Sequence, residues 1–512
     1  MPADPRQWLP ERHLAWSVLE QVGRMDLSAF GSRYRADGQG RRPYDPAMMC
    51  GLLLYCYCKG LRSSREIEMA TFDDVGARVI CGNLHPDHAT AANFVRRHAR
   101  AVCGLLAESV KACAREGLVS VEVVAGDGTK LKASASKSAN VTGQELEAQI
   151  AGLEGLIAAG VEAWVAEQLA ADDSDATAPP AAPRGPGAGD GGGAKAPARA
   201  AQTLARRKAA RGQLAARQAA RSDKEQGKAE ARAAELAGRV ARKAEAAGRA
   251  WQAAAGKLEA WERKAAAGPP RGRKPRGPDA DRDVIRTRAQ LAKARGQAEA
   301  AAAALAAAPA PDPAALVNTT DWTSRIMPGK KGGYDQLFNV QALATAGKQV
   351  IIAIMRHDSP ADCEALHPLL EQGRAVLGAA GITAAPRKAA FDAGYASDAN
   401  FTAAAGTELY VALGRTGGRG SPGQDLAGMQ QSWQDMAARL ATPEGKAVYA
   451  RRTATIEPVF AQLTGRLGRD LHYRDQMVDA ELSLWAASHN LLKAIKAALT
   501  RKARPAGALS AA

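Results

Sequence analysis

The fold turns on the stretch Leu118–Lys137, LVSVEVVAGDGTKLKASASK. Its first half, VSVEVV, is β-branched and alternates apolar with polar residues, which is the period of a half-buried strand. The alternation stops at Gly126-Asp127-Gly128, so the spacing predicts a short strand that ends at Asp127 between two glycines. A carboxylate at a strand end can project from a sheet edge into a site.

Further along, the same pattern recurs. YDQLFNVQAL (Tyr334–Leu343) and KQVIIAIMR (Lys348–Arg356) read as a β-hairpin turning at Thr345–Gly347. SPADCEALHPLLEQGRAVL, from Ser359, reads as a capped helix, RKAAFDAGY as a buried strand ending at Asp392, SDANFTAAA as a helix and ELYVAL as a strand. A Gly-rich loop (Gly414–Gly423) follows, then helices over Tyr449–Leu467 and Leu482–Ala498. Strands interleaved with helices in this order predict a mixed α/β sheet.

Upstream, residues 1–118 carry apolar positions at helical spacing and predict an all-helical domain. In KGLRSSREIE, Gly60 stops one helix, Ser63 or Ser64 caps the next and Glu66 assists the cap, a punctuation compatible with a helix-turn-helix. The middle, 141–315, differs: a helix over 141–172, a Pro/Gly/Ala linker (Pro179–Pro197, within 176–200), and Ala/Arg/Lys/Glu-rich helices over 201–268 and 281–308, broken at GPPRGRKPRGP. Without sustained Leu or Ile at heptad positions, an alanine-seamed antiparallel hairpin suits it better than a tight coiled coil. It is an insertion that serves either as a basic arm on DNA or as a solvated spacer. Residues 119–140 and 316–500 remain for the α/β domain, the one that holds the candidate catalytic carboxylates considered below.

The 512 residues carry a formal charge of +16, which draws the chain toward polyanions. Aromatic residues make up only 5%, which favours contacts to duplex DNA over base stacking on single strands. Seven scattered cysteines, an odd number without a paired CxxC, exclude a disulfide framework and a zinc ribbon. No GxxxxGK[ST] loop is present, which disfavours a nucleotide-driven motor. The N-terminus lacks a signal-peptide pattern and no apolar run is long enough for a membrane span, so a soluble cytoplasmic, nucleoid-associated protein is expected.

Phosphoryl transfer on DNA through two metals uses carboxylates gathered from separate elements. Asp127 and Asp392 would share a site if the helix between their strands returns the chain to the same sheet edge. Glu457, beside the apolar face formed by Ile456, Val459, Phe460, Leu463 and Leu467, would approach that edge from a helix restarting near Pro458. Asp358 reads as a helix cap and Asp321 as a lesser competitor. Lys130 and Lys132 either touch phosphate or solvate a strand.

In order, YDPAMMCGLLLYCYCKGLRSSREIE, HATAANFVRRH, GDGTKLKA, YDQLFNVQAL, FDAGYAS and RRTATIEPVF resemble the blocks of bacterial insertion-sequence DDE transposases of the YREK type. The resemblance implies an RNase H-like core, an N-terminal helical domain on transposon ends, and Asp127, Asp392 and Glu457 as catalytic acids holding Mg²⁺, with Mn²⁺ as a substitute. It also implies a homodimer on double-stranded transposon and target DNA. Tyr449 and Arg452 match the Tyr and Arg of the block, where Arg grips a phosphate. Both stand one position farther from Glu457 than the strict spacing, and Thr464 occupies the place of the trailing Lys, with Arg466 or Arg469 as substitutes. A nuclease that does not join strands and a non-catalytic DNA-binding descendant are the rival readings.

Overall fold

Helix punctuation in the N-terminal part follows the chain's own caps. The computed structural model describes residues 7–31, 43–175, 192–269, 272–306, 312–329, 332–402, 406–414 and 430–503. Among the described residues seven helices come first: α1 (Leu14–Val22), α2 (Ser28–Gly31), α3 (Pro46–Lys59), α4 (Ser64–Asp73), α5 (Val75–Ile80), α6 (His88–Arg97) and α7 (Ala99–Arg115). Asp45 caps α3 and Pro46 opens it, while Gly60 closes it in the left-handed region at φ 88°. Ser63 and Glu66 then close a reciprocal capping box at the start of α4. Residues Met49–Cys58 are all buried, whereas α4 exposes Arg65, Glu66 and Met69.

Strand β1 (Val123–Lys132) follows, then β2 (Asn140–Thr142), helices α8 (Gly143–Asp175), α9 (Gly192–Ala266) and α10 (Arg282–Ala306), and β3 (Leu316–Asn318). The chain continues through β4 (Arg325–Pro328), β5 (Tyr334–Thr345), β6 (Ile351–His357), α11 (Leu366–Ala379), β7 (Lys388–Phe391), α12 (Asp398–Thr402) and β8 (Glu408–Val411). Three helices end it: α13 (Gln431–Ala441), α14 (Pro443–Leu467) and α15 (Met477–Ala503). Two units form, Met1–Asn140 with Thr320–Ala512, and Val141–Thr319.

In the first unit the sheet is mixed, in the order β4-β5-β1-β7-β8, with β6 also on β5. β1 runs antiparallel to β5, placing Asp127 opposite Ala342, and parallel to β7, placing Ala125 opposite Ala390. β5 and β6 are the predicted hairpin, and β7 and β8 are parallel. Helix α11 carries the chain from β6 back to β7 beside β1, as the shared-edge argument requires. Helices α7, α3 and α15 pack together, with Trp485 among the largest fully buried side chains.

Three local expectations need correction. β1 does not end at Asp127 but runs on to Lys132. The flanking glycines make room rather than a turn: a Cβ on Gly126 would stand 2.1 Å from Cε1 of Phe391, and one on Gly128 would stand 2.4 Å from Nε2 of Gln341. Second, α11 begins at Leu366, not Ser359, and its N-cap Ala365 offers no side-chain bond, so Asp358 caps nothing there. Third, α14 passes through Pro458 without restarting. A proline leaves the carbonyl four residues earlier without its helical donor, and here Nε2 of Gln349 donates to that Ala454 oxygen at 3.0 Å.

The second unit is helical apart from the short β2-β3 pair at its ends. Lys243 of α9 bonds Gln290 of α10, and Arg221 bonds Asp312 beyond it, as in an antiparallel pair. Alanines Ala210, Ala247, Ala254 and Ala294 are buried between its long helices, beside larger residues such as Leu146, Ile150, Leu214 and Val284. α9 starts at Gly192 and so takes in the end of the Pro/Gly/Ala segment, whose remainder, 176–191, lies outside the described residues. Of the Gly-rich loop, only Gly414 is described. No helix among the described residues is long and apolar enough to cross a membrane.

Candidate active site

Asp127 and Asp392 meet because β1 and β7 are parallel neighbours. Ala125 pairs with Ala390, so two residues further along each strand the two acids emerge side by side. Asp392 leaves β7 and caps a short turn, with Oδ1 accepting from the Gly394 amide at 3.0 Å. Asp127 stays in its strand and is mostly buried. Burial pushes its carboxyl above the ordinary value and the charge of Asp392 adds to that, against the Gly128 amide and the Arg452 guanidinium, which pull it down.

Arg452 comes from α14, which packs across β1, β5 and β7. Its Nη1 donates to Oδ2 of Asp127 at 3.3 Å, and the side chains are only 12% and 22% exposed. The guanidinium also sits 6.0 Å from the Tyr449 ring centroid. Its Nε is buried with no hydrogen-bond partner among the described residues. Burial disfavours the Arg452 charge, but Asp127, Tyr449 and Asp392 outweigh it and hold the group protonated.

Glu457 lies on the same helix, five residues beyond Arg452, and is exposed. Its neighbours Thr455, Ile456 and Val459 are buried, so it flanks the face that packs on the sheet. Among the described residues, no three His, Cys, Asp or Glu side chains are gathered closely enough to hold a metal ion. The structure thus brings Asp127 and Asp392 together and leaves Glu457 to one side. Lys130 donates to the Pro360 carbonyl at 2.9 Å, and Lys132 lies 3.7 Å from Asp335. Arg466 is turned away from the pair, donating to Oγ of Ser488 at 3.3 Å, and burial lowers its pKa.

Of the competing acids, Asp321 is fully buried and accepts from both the amide and the hydroxyl of Thr323, as a turn residue does. The acid that the sequence reading passed over is Asp362. Its Oδ1 accepts from Nδ2 of Asn339 at 2.9 Å and from Nε2 of Gln341 at 2.8 Å. The signal was present in YDQLFNVQAL: Asn339 and Gln341 are two apart on one face of the strand, interleaved with Phe338, Val340 and Ala342, and both are buried.

The donor set suits a hard divalent cation in part. Two carboxylates at adjacent strand positions offer oxygen ligands, and Arg452 is the cation that meets Asp127 in this structure. The cysteines offer no rival centre, because all seven are free and burial pushes Cys50, Cys58, Cys81 and Cys113 up to about 12.

Two known families match the chain. One, described as Transposase domain (DUF772), matches residues 4–97, the N-terminal helices through α6. The other, described as Transposase DDE domain, matches residues 425–495, which include Tyr449, Arg452 and Glu457. No curated protein and no solved structure gives a significant match. A transposase domain matched at one end of the chain and a transposase DDE domain at the other support an insertion-sequence DDE transposase.

Proposed function

We propose that this transposase cuts the ends of its element and joins each freed 3′-OH to target DNA, with Asp127, Asp392 and Glu457 as its acids. The observation that carries the proposal is the pairing of Asp127 and Asp392 on parallel neighbours β1 and β7, beneath the helix that bears Glu457. An antiparallel β1-β5-β6 meander extended by parallel β7 and β8 supports an RNase H-like core.

Divalent cations, Mg²⁺ or Mn²⁺, would supply Lewis acidity and an activated water when bound. Asp127 and Asp392 would hold them, and Glu457 would join as the third ligand once α14 or its side chain closes on the DNA. Arg452 has an unused buried Nε donor and stands where a scissile phosphate would approach, so it would trade part of its bond to Asp127 for the phosphate. Lys130, Lys132 and Tyr449 lie along the same strand and helix and would line the DNA path. Arg466, bonded to Ser488, packs α14 on α15 in this reading. Holding two ends together calls for a homodimer on the DNA, in the bacterial cytoplasm beside the nucleoid.

The test is incubation of the protein with its own element ends and Mg²⁺, beside Asp392→Asn. Joined products that vanish in the variant support the proposal. Cleavage without joining would mark a nuclease, and binding without either a non-catalytic descendant.

A further inference from the structure

Asp362 sits in the segment between β6 and α11, where a helix start was expected and is absent. A carboxylate that receives two side-chain amides on one oxygen is held firmly, because both donors are charge-assisted. Asn339 also donates to the Ser359 carbonyl at 3.0 Å, and Gln341 to Oδ1 of Asn339 at 3.0 Å. The other end of Gln341 accepts the Tyr395 hydroxyl. Tyr395 is fully buried and closes the turn that begins at Asp392.

Two further contacts tie the same pieces. Nδ2 of the buried Asn400 donates both to the Tyr395 carbonyl, at 2.6 Å, and to the Cys363 carbonyl, at 2.7 Å, so the Asp392 turn and the Asp362 segment share one clamp. At Gly394 the two acids stand on either side of one small space. A Cβ there would be 3.1 Å from Oδ1 of Asp392 and 3.3 Å from Oδ2 of Asp362. A Cβ on Gly128, beside Asp127, would be 3.0 Å from Oδ1 of Asp362.

We infer that Asp362 is a positioning residue for the catalytic pair: through Asn339, Gln341 and Tyr395 it fixes the Asp392 turn against β5 and next to Asp127. It touches no reacting atom in this account and acts through Asp392. The inference rests on the catalytic role proposed for Asp392.

The experiment compares Asp362→Ala, Asp362→Asn and Asp392→Asn with the wild type for strand cleavage, DNA affinity and melting temperature. Asp362→Ala is expected to lose about 100-fold in kcat, the scale of a misplacement near 1 Å. Its KM for end DNA and its melting temperature should stay close to wild type. Asp362→Asn, which keeps an oxygen for both amides, should recover most of the rate. Wild-type cleavage by Asp362→Ala overturns the inference. Loss of DNA affinity and melting temperature along with rate would show a purely structural role and overturn it too, and an inactive Asp362→Asn would show a direct ligand instead. Wild-type cleavage by Asp392→Asn would overturn the catalytic reading itself, a failure separate from that of Asp362.

Discussion

Nη1 of Arg452 lies 3.3 Å from Oδ2 of Asp127, tying the middle of α14 to the middle of β1. The bond explains how one partly buried carboxylate beside another is tolerated before any other cation arrives. The arginine that the sequence pattern offers as a phosphate grip is first a counter-charge.

Arg452→Gln tests that double role. With the guanidinium gone, burial and Asp392 act on Asp127 against the Gly128 amide alone, so its carboxyl rises further. Loss of one partner from this partly buried pair should cost about 1–3 kcal/mol in unfolding free energy. Mn²⁺ should then raise the melting temperature of the variant more than that of the wild type, since no guanidinium competes for Asp127. Equal metal-induced shifts would contradict the counter-charge role.

Glu481 gives a pH signature away from the site. It is fully buried, and burial pushes its carboxyl up to about 7, although the amides of Tyr473 and His472 and the charge of Arg62 pull it down. The folded chain therefore holds this proton over a range where the unfolded chain has released it. That contribution is complete below the ordinary value of 4.5 and is lost as pH rises through about 7, a change of about 3 kcal/mol at most. Thermal melts from pH 5 to 8 should show the wild type declining relative to Glu481→Gln, and parallel curves would refute the assignment.

Gly126→Ala tests the reading of the Gly-Asp-Gly run as a close-packed strand. The new methyl would meet the Phe391 ring, and overpacking of this kind costs about 1–3 kcal/mol. Gly152→Ala, on the exposed side of α8 with open space around it, should instead stabilise by about 0.5–1 kcal/mol. Denaturant midpoints that move the same way in both variants would count against this account.

Much of the architecture could be read from periodicity. The strand character of Tyr334–Leu343 and Lys348–Arg356 pointed to the β5-β6 hairpin, and Gly60, a cap at Ser63 or Ser64 and Glu66 pointed to the α3–α4 break, where Ser63 proves to be the cap. Long-range causes were harder to see. Nothing near Gly126 and Gly128 in sequence announces Phe391 or Gln341, so two spacer glycines looked like a turn. Pro458 looked like a helix start because the donor that relieves it, Gln349, is more than a hundred residues away. Asp362 was hidden in a segment that reads as a capped helix until Asn339 and Gln341 are seen to claim its carboxylate. Of the three acids proposed, the parallel pairing of β1 and β7 explains why two converge, whereas the role proposed for the exposed Glu457 depends on its side chain closing on that pair.

That dependence makes Glu457 the most direct point of attack on the central claim. The measurement is Mg²⁺-dependent cleavage and joining by Glu457→Gln beside Asp127→Asn and Asp392→Asn, with binding to end DNA measured in parallel. The account predicts that all three bind DNA like the wild type and lose at least about 1000-fold in rate, since each removes a ligand of one centre. Wild-type cleavage by Glu457→Gln, with the two aspartate variants inactive, would contradict a three-acid centre on α14 and the sheet.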